Sequence, residues 1–284
     1  MRFSKFIPPM SIVVFLVLTL TGAYFVRRRI LEQTMIYAVE TGDEETIRSV
    51  VGCWPSPVNA WLYGEYCHAR MHSTVLHWAI ERGCYDLADW LIEHGADVDA
   101  PCAIVGSPRG LRDDGLFLRR PGKVEGPGTP LDYAVDSGRA RLVRHLLARG
   151  ADVEGGRWIT PLSSAAEHGN IEIMTLLLDR GAAVNKVPSA DTSTPLIDAA
   201  GEGWTEAVRL LLDRGAAVNA VDGAGWTPLH YAALHARTEV ASLLLSRSAD
   251  PAIRSTQGET ALMLAEKKQF AGVAEILRKA GAKE

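Results

Sequence analysis

Two markers recur along this sequence at matching intervals. A threonine placed two residues before a leucine returns after 55, 31, 34, 33 and 33 residues, and a small residue followed by alanine returns at the same intervals. The threonines are Thr74, Thr129, Thr160, Thr194, Thr227 and Thr260, and the small residues are Gly95, Gly150, Gly181, Gly215, Ser248 and Gly281. Agreement between two independent columns predicts stacked structural units of about 33 residues, each burying its apolar face against its neighbours.

Local patterns predict two helices in each unit. Proline follows the threonine at Pro130, Pro161, Pro195 and Pro228, which is typical of a helix start because threonine can cap and proline lacks an amide that would have no helical partner. A second helix is indicated by apolar pairs four residues apart, which make one apolar face. These residues are Leu142, Val143, Leu146 and Leu147; Ile173, Met174, Leu177 and Leu178; Ala207, Val208, Leu211 and Leu212; and Val240, Ala241, Leu244 and Leu245. The glycine after each second helix suits a left-handed terminating residue.

The segment from Thr227 to Ala233 reads Thr-Pro-Leu-His-Tyr-Ala-Ala and resembles the opening of the ankyrin repeat, a unit of about 33 residues with two antiparallel helices. The resemblance covers residues 31–284, although Val75 and Ala261 replace the proline. It implies an all-α fold, an ankyrin-repeat solenoid of about seven helix-turn-helix units with short β-hairpin loops. A histidine at the helix opening, as at His77 and His230, is expected to hydrogen-bond within the turn.

Two interruptions divide the period. Residues 101–128 exceed the regular spacing by 22 residues, are rich in Gly and Pro and are mildly basic, and residues 52–71 also exceed it and contain several aromatic residues. Both are predicted to be long surface loops, and long loops in compact folds are commonly functional or disordered. We therefore expect one ankyrin repeat domain over residues 30–284, interrupted at 52–71 and 101–128.

The N-terminal region, residues 1–29, predicts a membrane anchor. Ile7 to Val26 is twenty residues long and nearly uncharged, so that as a helix it would rise about 30 Å and match a bilayer core, with three arginines following. We expect a transmembrane helix ahead of the repeats and a single-pass membrane localisation. Two basic residues precede the span and three follow it, which leans toward a cytoplasmic repeat domain. A cleaved signal peptide, with a secreted or periplasmic repeat domain, and a buried helix are the alternatives.

The cysteines and the motif content limit the chemistry. Cys53, Cys67, Cys84 and Cys102 fit either reduced thiols or a disulfide pair in an oxidising compartment. Cys53 and Cys67 lie near His68 and His72, which allows a metal-binding alternative, although the spacing matches none of the tight zinc-ligand pairs. No phosphate-binding loop, metalloprotease histidine pair or nucleophile elbow is present. The sequence therefore predicts no enzyme, no cofactor and no small-molecule substrate.

Candidate binding residues follow from the resemblance. The residues that end the first helix of each ankyrin unit face a concave groove in which partners commonly dock, and five consecutive units supply a carboxylate there, followed by a histidine. The predicted residues are Glu40, Glu81, Asp136, Glu167, Glu202 and His235. Such a row can attract a basic partner, or it can be an ordinary solvated helix face. Trp226 and Trp158, just before two of the threonines, could anchor a partner or pack between neighbouring turns.

Net charge supports a protein partner. The chain has 30 basic and 34 acidic residues, but five of the basic ones precede Ile30, so the remainder has a net charge of −9. An acidic domain is poorly suited to nucleic acid. The sequence therefore predicts a non-catalytic scaffold, tethered to a membrane, that binds a protein partner, and the acidic row favours a basic one. A secreted or periplasmic protein that inhibits or protects another protein is the alternative.

Overall fold

The structure is a computed structural model that describes residues 34–52 except Ile36 and Glu40, 61–64, 71–104, 128–155, 159–187 and 193–282. Residues 34–35, 37–39 and 41 are helical and precede the first complete helix. The helices are α1 (Glu44–Gly52), α2 (Val75–Glu81), α3 (Tyr85–Glu93), α4 (Pro130–Asp136), α5 (Ala140–Ala148), α6 (Pro161–Glu167), α7 (Ile171–Asp179), α8 (Pro195–Glu202), α9 (Thr205–Asp213), α10 (Pro228–Leu234), α11 (Thr238–Ser246), α12 (Ala261–Lys267) and α13 (Ala271–Lys279). Their pairing at the sequence period confirms the predicted helical repeats.

The helices stack in two layers. The even-numbered helices α2 to α12 contact one another in chain order and form the first layer, and the odd-numbered helices α3 to α13 do the same and form the second layer. Within a unit, each first-layer helix also packs against the second-layer helix that follows it. Neighbouring units therefore pack against each other along the chain, as in a solenoid.

The predicted capping residues start the first-layer helices. Thr160, Thr194 and Thr227 are N-caps whose hydroxyls accept a hydrogen bond from the backbone N–H three residues later, and a proline follows each of them. Thr260 caps in the same way although Ala261 replaces the proline. The hydroxyl satisfies an amide that has no partner inside the helix, so the start of each unit is encoded locally.

The second-layer helices end on a left-handed residue. Gly150, Gly181 and Gly215 have φ of +89°, +90° and +86°, a conformation in which glycine avoids the steric cost of a Cβ. Ser248 adopts the same conformation at +69°, and Ala249 N–H donates to the Leu244 carbonyl at 3.0 Å, as Ala216 N–H does to Leu211 at 2.9 Å. The turn therefore persists without glycine.

The core lies between the two layers and confirms the predicted apolar faces. Leu177 and Leu211 are 0% exposed, and the other predicted residues of the second helices are buried or packed against the core. First-layer leucines such as Leu162, Leu196 and Leu229 complete the same cluster. One continuous apolar core runs through the stacked units.

A small antiparallel sheet lies beside the second unit. Its strands are β1 (Trp61–Gly64), β2 (Met71–Thr74) and β3 (Ala103–Ile104), with β2 in the middle. Trp61 pairs with Thr74 and Met71 pairs with Ile104. The segments predicted to be loops at 52–71 and 101–128 therefore contribute strands, because each supplies backbone that pairs with the residues leading into α2.

The predicted membrane anchor at Ile7 to Val26 lies outside the described residues. In the part of the chain that the structure describes, no helix is long and apolar enough to cross a bilayer. The helices there have at most nine residues, a rise of about 14 Å, because a turn ends each of them. This finding contradicts the predicted single-pass membrane localisation.

Candidate protein-binding surface

The predicted binding residues stand at the ends of the first-layer helices. Glu81, Asp136, Glu167 and Glu202 are the last residues of α2, α4, α6 and α8, and His235 follows α10. We call these five residues the end column. Glu81, Asp136 and His235 are exposed, and Glu167 and Glu202 are half-buried. Glu40 and Trp158, which the sequence also predicted, lie outside the described residues.

Two members of the end column interact with residues of a neighbouring unit. Ser164, on the next first-layer helix, donates a hydrogen bond of 2.5 Å from its hydroxyl to Asp136 Oδ1. Partial burial lowers the pKa of His235, and so do the positive charges of Arg237 and Lys268, while Glu202 acts in the opposite direction. His235 therefore lies within electrostatic range of an acid in the preceding unit and a lysine in the following unit.

The end column changes sign along the array. Its members in the second to fifth units are carboxylates, whereas the corresponding residues of the last unit are Lys267 and Lys268. Lys267 Nζ forms an ion pair of 2.9 Å with Glu259 Oε1, which compensates part of its charge. The acidic part of the end column thus spans four units and is followed by His235 in the sixth unit and Lys268 in the last.

Trp226 packs against residues of its own unit. Its ring lies 5.3 Å from the Tyr231 ring at an interplanar angle of 66° and is stacked at 6.3 Å on the His230 ring. Its backbone N–H donates to Asp222 Oδ1 at 2.8 Å, and the Tyr231 hydroxyl donates to Asp222 Oδ2 at 2.8 Å. These contacts hold the ring half-buried, so only part of it is available to a partner.

The histidines at the helix openings form hydrogen bonds within their turns, and His230 also reaches the next unit. His230 Nδ1 lies 2.8 Å from Thr227 Oγ1, and His230 Nε2 lies 3.1 Å from the Glu259 carbonyl oxygen of the next unit. His77 makes the equivalent contact of 2.8 Å to Thr74 Oγ1. Burial lowers the pKa of His77 to about 4. These contacts confirm the expected role in the turn, and burial, which also lowers the pKa of His230, favours the neutral imidazole at both positions.

An aspartate, Asp132, occupies the histidine position of the third unit, and its environment was not predictable from the sequence. Asp132 Oδ2 accepts hydrogen bonds from Thr129 N–H at 2.7 Å and from the Thr129 hydroxyl at 3.0 Å. Burial raises the pKa of Asp132 to about 6, against the lowering effect of these hydrogen bonds, and the charges of Asp136 and Asp152 raise it further. Proximity to Asp152, from a different turn, arises only when the unit folds.

The metal-binding alternative rests on Cys53, Cys67, His68 and His72. The first three lie outside the described residues, and His72 lies in β2, where it pairs with Tyr63 and Ala103. Over the residues that are described, no group of three His, Cys, Asp or Glu side chains is arranged to hold a metal ion. Cys84 carries a free thiol, whose pKa is raised by burial first and by the neighbouring Glu44 second. This environment disfavours a reactive thiolate.

Capped helix pairs that contact only their immediate neighbours define the class of helical-repeat solenoids. Sequence comparison then names the family: the profile described as Ankyrin repeats (3 copies) matches residues 162–255 and 222–284, and the profile described as Ankyrin repeat matches residues 71–103 and 128–154. These segments together cover more than half of the 284 residues. The chain belongs to the ankyrin repeat family.

Individual relatives match only part of the chain. A putative ankyrin repeat protein of fowlpox virus is 33% identical over 125 residues, which is 39% of this chain and 29% of the viral protein. Ankyrin repeat and SOCS box protein 5 of Oryctolagus cuniculus is 33% identical over 110 residues, 38% of this chain and 27% of that protein. An ankyrin repeat domain-containing protein of Aspergillus oryzae is 33% identical over 188 residues, 50% of this chain and 30% of the fungal protein. The matched region spans less than a third of each of these relatives.

Proposed function

We propose that this chain is a non-catalytic scaffold that binds a protein partner through the end column and the loops beside it, and that the partner presents basic residues to the acidic units. The fold supports this function because an ankyrin array offers a long, rigid row of helix ends. The end column supports the basic character of the partner, since four consecutive units present a carboxylate.

The observation that carries the proposal is the position of these carboxylates on their helices. Glu81, Asp136, Glu167 and Glu202 each stand at the C-terminal end of a first-layer helix. The C-terminal end of a helix carries the negative pole of its dipole, so an acid there costs about 0.3–1 kcal/mol relative to a base. Repetition of a locally unfavourable choice in four units favours a role in binding over a role in helix stability.

The net charge of the repeat domain also favours a basic partner. The chain after residue 29 has a net charge of −9, and a row of like charges on one surface raises the rate at which an oppositely charged partner associates. Salt screens such steering within about 10 Å at 0.1 M ionic strength. Binding through the end column should therefore be fast at low salt and strongly salt-dependent.

The test uses a peptide of alternating Lys and Ala residues as the basic probe and the full chain with Glu81, Glu167 and Glu202 all changed to Lys. We expect the wild-type chain to bind the peptide and the triple variant to associate at least about tenfold more slowly at low salt. Surface plasmon resonance at low and high salt measures both rates. A peptide of alternating Glu and Ala residues should show the reverse preference.

The matched control changes Glu45, Asp86 and Glu93 to Lys. These three residues are exposed on α1 and α3, so the control has the same net charge as the triple variant on another face. Asp179 and Asp213 are unsuitable because they form ion pairs of 2.9 Å and 2.8 Å with Arg214 and Arg247 of the next units. Equal slowing in the two triple variants would mean that net charge alone attracts the peptide, and the proposal for the end column would be wrong.

A further inference from the structure

A second candidate site lies in the second layer and is lined by residues of α9, α11 and the turns before α7 and α9. An open cleft of about 800 Å³ lies along the exposed faces of α9 and α11. Ala207 and Leu243 contribute its apolar lining, Trp204 and Ile171 stand at one end, and Glu206 and Glu239 line it with carboxylates. We call this space the outer cleft.

Trp204 is held in one orientation. Its Nε1–H donates a hydrogen bond of 2.8 Å to the Glu167 carbonyl oxygen, and its ring covers Gly169 so closely that a Cβ on that glycine would come within 2.5 Å of it. Even so, Trp204 is 46% exposed and the neighbouring Ile171 is 38% exposed. An aromatic ring that is already immobilised and still exposed loses little conformational entropy when a ligand covers it.

The equivalent position in the next unit shows the structural role of the side chain that covers the glycine. Arg237 takes the place of Trp204, covers Gly203 in the same way and donates from Nε to the Gly201 carbonyl oxygen at 3.0 Å. A guanidinium therefore suffices to cover the glycine and reach the carbonyl. The tryptophan adds an exposed aromatic face that this structural role does not need.

The outer cleft also has an excess of negative charge. Between α5 and α7, Arg144 reaches across to Glu172 of the next unit at 2.9 Å. Arg209 holds the corresponding position on α9, but it pairs at 3.5 Å with Glu206 of its own helix rather than with Glu239 of the next. The lining of the outer cleft thus contains two carboxylates, Glu206 and Glu239, and one guanidinium, Arg209.

We propose that the outer cleft binds an arginine side chain of a partner protein, with the guanidinium stacked on the Trp204 ring and paired with Glu239, and an adjacent apolar residue of the partner against Ile171. A guanidinium combines the planar shape that stacks on an indole with the donors that match a carboxylate. The cleft volume falls in the range of small-ligand sites, about 300–1,000 Å³, and accommodates a few side chains. The lining of this site includes none of the five end-column residues.

The test uses the full chain and the blocked peptide Ala-Arg-Leu-Ala, with Lys, Gln and Glu versions as comparisons. The indole N–H resonance of Trp204 is identified by its loss in Trp204→Phe, and NMR titration follows its shift. We expect saturable shifts with the Arg peptide, weaker binding of the Lys peptide and no binding of the Glu peptide. Equal binding of the Gln and Arg peptides would mean an apolar ligand and would overturn the proposal.

Two variants with the same change in charge decide the role of Glu239. Glu239→Gln should weaken binding of the Arg peptide roughly fivefold, the size of an exposed ion pair. Glu172→Gln removes the equivalent carboxylate of α7, which Arg144 already neutralises outside the cleft, and should leave binding unchanged. Both residues are exposed, so folding is not at stake. Unchanged binding in Glu239→Gln, or equal weakening in both variants, would refute the assignment.

Discussion

Asn185 Oδ1 accepts a hydrogen bond of 2.8 Å from the backbone N–H of Ala217, which lies one unit further along the chain. The contact recurs between Asn219 Oδ1 and Asp250 N–H at 2.9 Å, and Asp99 Oδ1 accepts from Asp152 N–H at 2.8 Å in the same way. A side chain in each of these turns therefore satisfies an amide of the next turn. The stacking of units rests on these polar contacts as well as on the core.

Replacing Asn219 by Ala should lower the free energy of unfolding by about 0.5–1.5 kcal/mol, because one hydrogen bond between units is lost while water can reach the exposed amide. Urea denaturation followed by circular dichroism measures the change. Gln257→Ala, at an exposed position in a turn, is the control and should change stability by less than about 0.5 kcal/mol. A loss no larger than that of the control would show that water replaces the asparagine fully.

Leu177→Ala and Leu211→Ala should each cost about 2–5 kcal/mol, since both side chains are fully buried between the layers and the array cannot close the cavity they leave. Arg180→Ala, at an exposed position just after α7, should cost far less. Denaturant melts of the three variants measure the difference. Similar losses at buried and exposed positions would contradict the helix register.

The helix pairs were predictable because their signals are local. A threonine cap, a proline and a terminating glycine act within one turn of chain, and their regular spacing sets the register. The strand pairing of Trp61 with Thr74 and Met71 with Ile104 was not predictable, because it joins segments that carry no matching pattern. The single-pass localisation was inferred from the length and low charge of the segment from Ile7 to Val26 and from the arginines after it, and the described helices contradict it.

The candidate sites were likewise predictable from the sequence only in part. The end column follows from the repeat register, so its members could be named residue by residue. The exposed face of Trp204 could not be foreseen, since it depends on the contact with Gly169 of the preceding unit. The burial of Asp132 and the pairing of Asp179 with Arg214 also arise between units or turns. Contacts of this kind depend on how the units stack, and no single unit encodes them.

Ser248→Gly should stabilise the protein by about 1 kcal/mol, because Ser248 adopts a left-handed conformation with φ of +69° that is unfavourable for a residue with a Cβ. The reverse change, Gly215→Ser, is the matched control at the equivalent turn. A Cβ at Gly215 would meet nothing within 4 Å, so its expected loss of about 1 kcal/mol reports the backbone alone. Thermal melts compare the two variants. Stabilisation by both, or by neither, would contradict this account.

Asp132 and His77 hold the same position in neighbouring units. Each makes the free energy of unfolding depend on pH, and the two effects have opposite signs. Burial raises the pKa of Asp132 from 3.8 to about 6, so the unfolded chain loses this proton first and the fold loses stability as pH rises through that window. Burial lowers the pKa of His77 from 6.5 to about 4, so the unfolded chain gains this proton first and the fold loses stability as pH falls through nearly the same window. The two effects largely cancel in the wild-type chain.

The variant Asp132→Asn separates the pH dependence caused by Asp132 from that caused by His77. The asparagine carbonyl can still accept from Thr129 N–H but carries no charge, so the variant should be more stable than the wild type at pH 7 by on the order of 1–3 kcal/mol and equally stable near pH 4. Its own stability should fall in acid because His77 is no longer offset. Urea melts at several pH values measure the difference, with Asp86→Asn as the exposed control that should track the wild type. A variant that is no more stable than the wild type at pH 7 would show that Asp132 is ionised in the fold without cost.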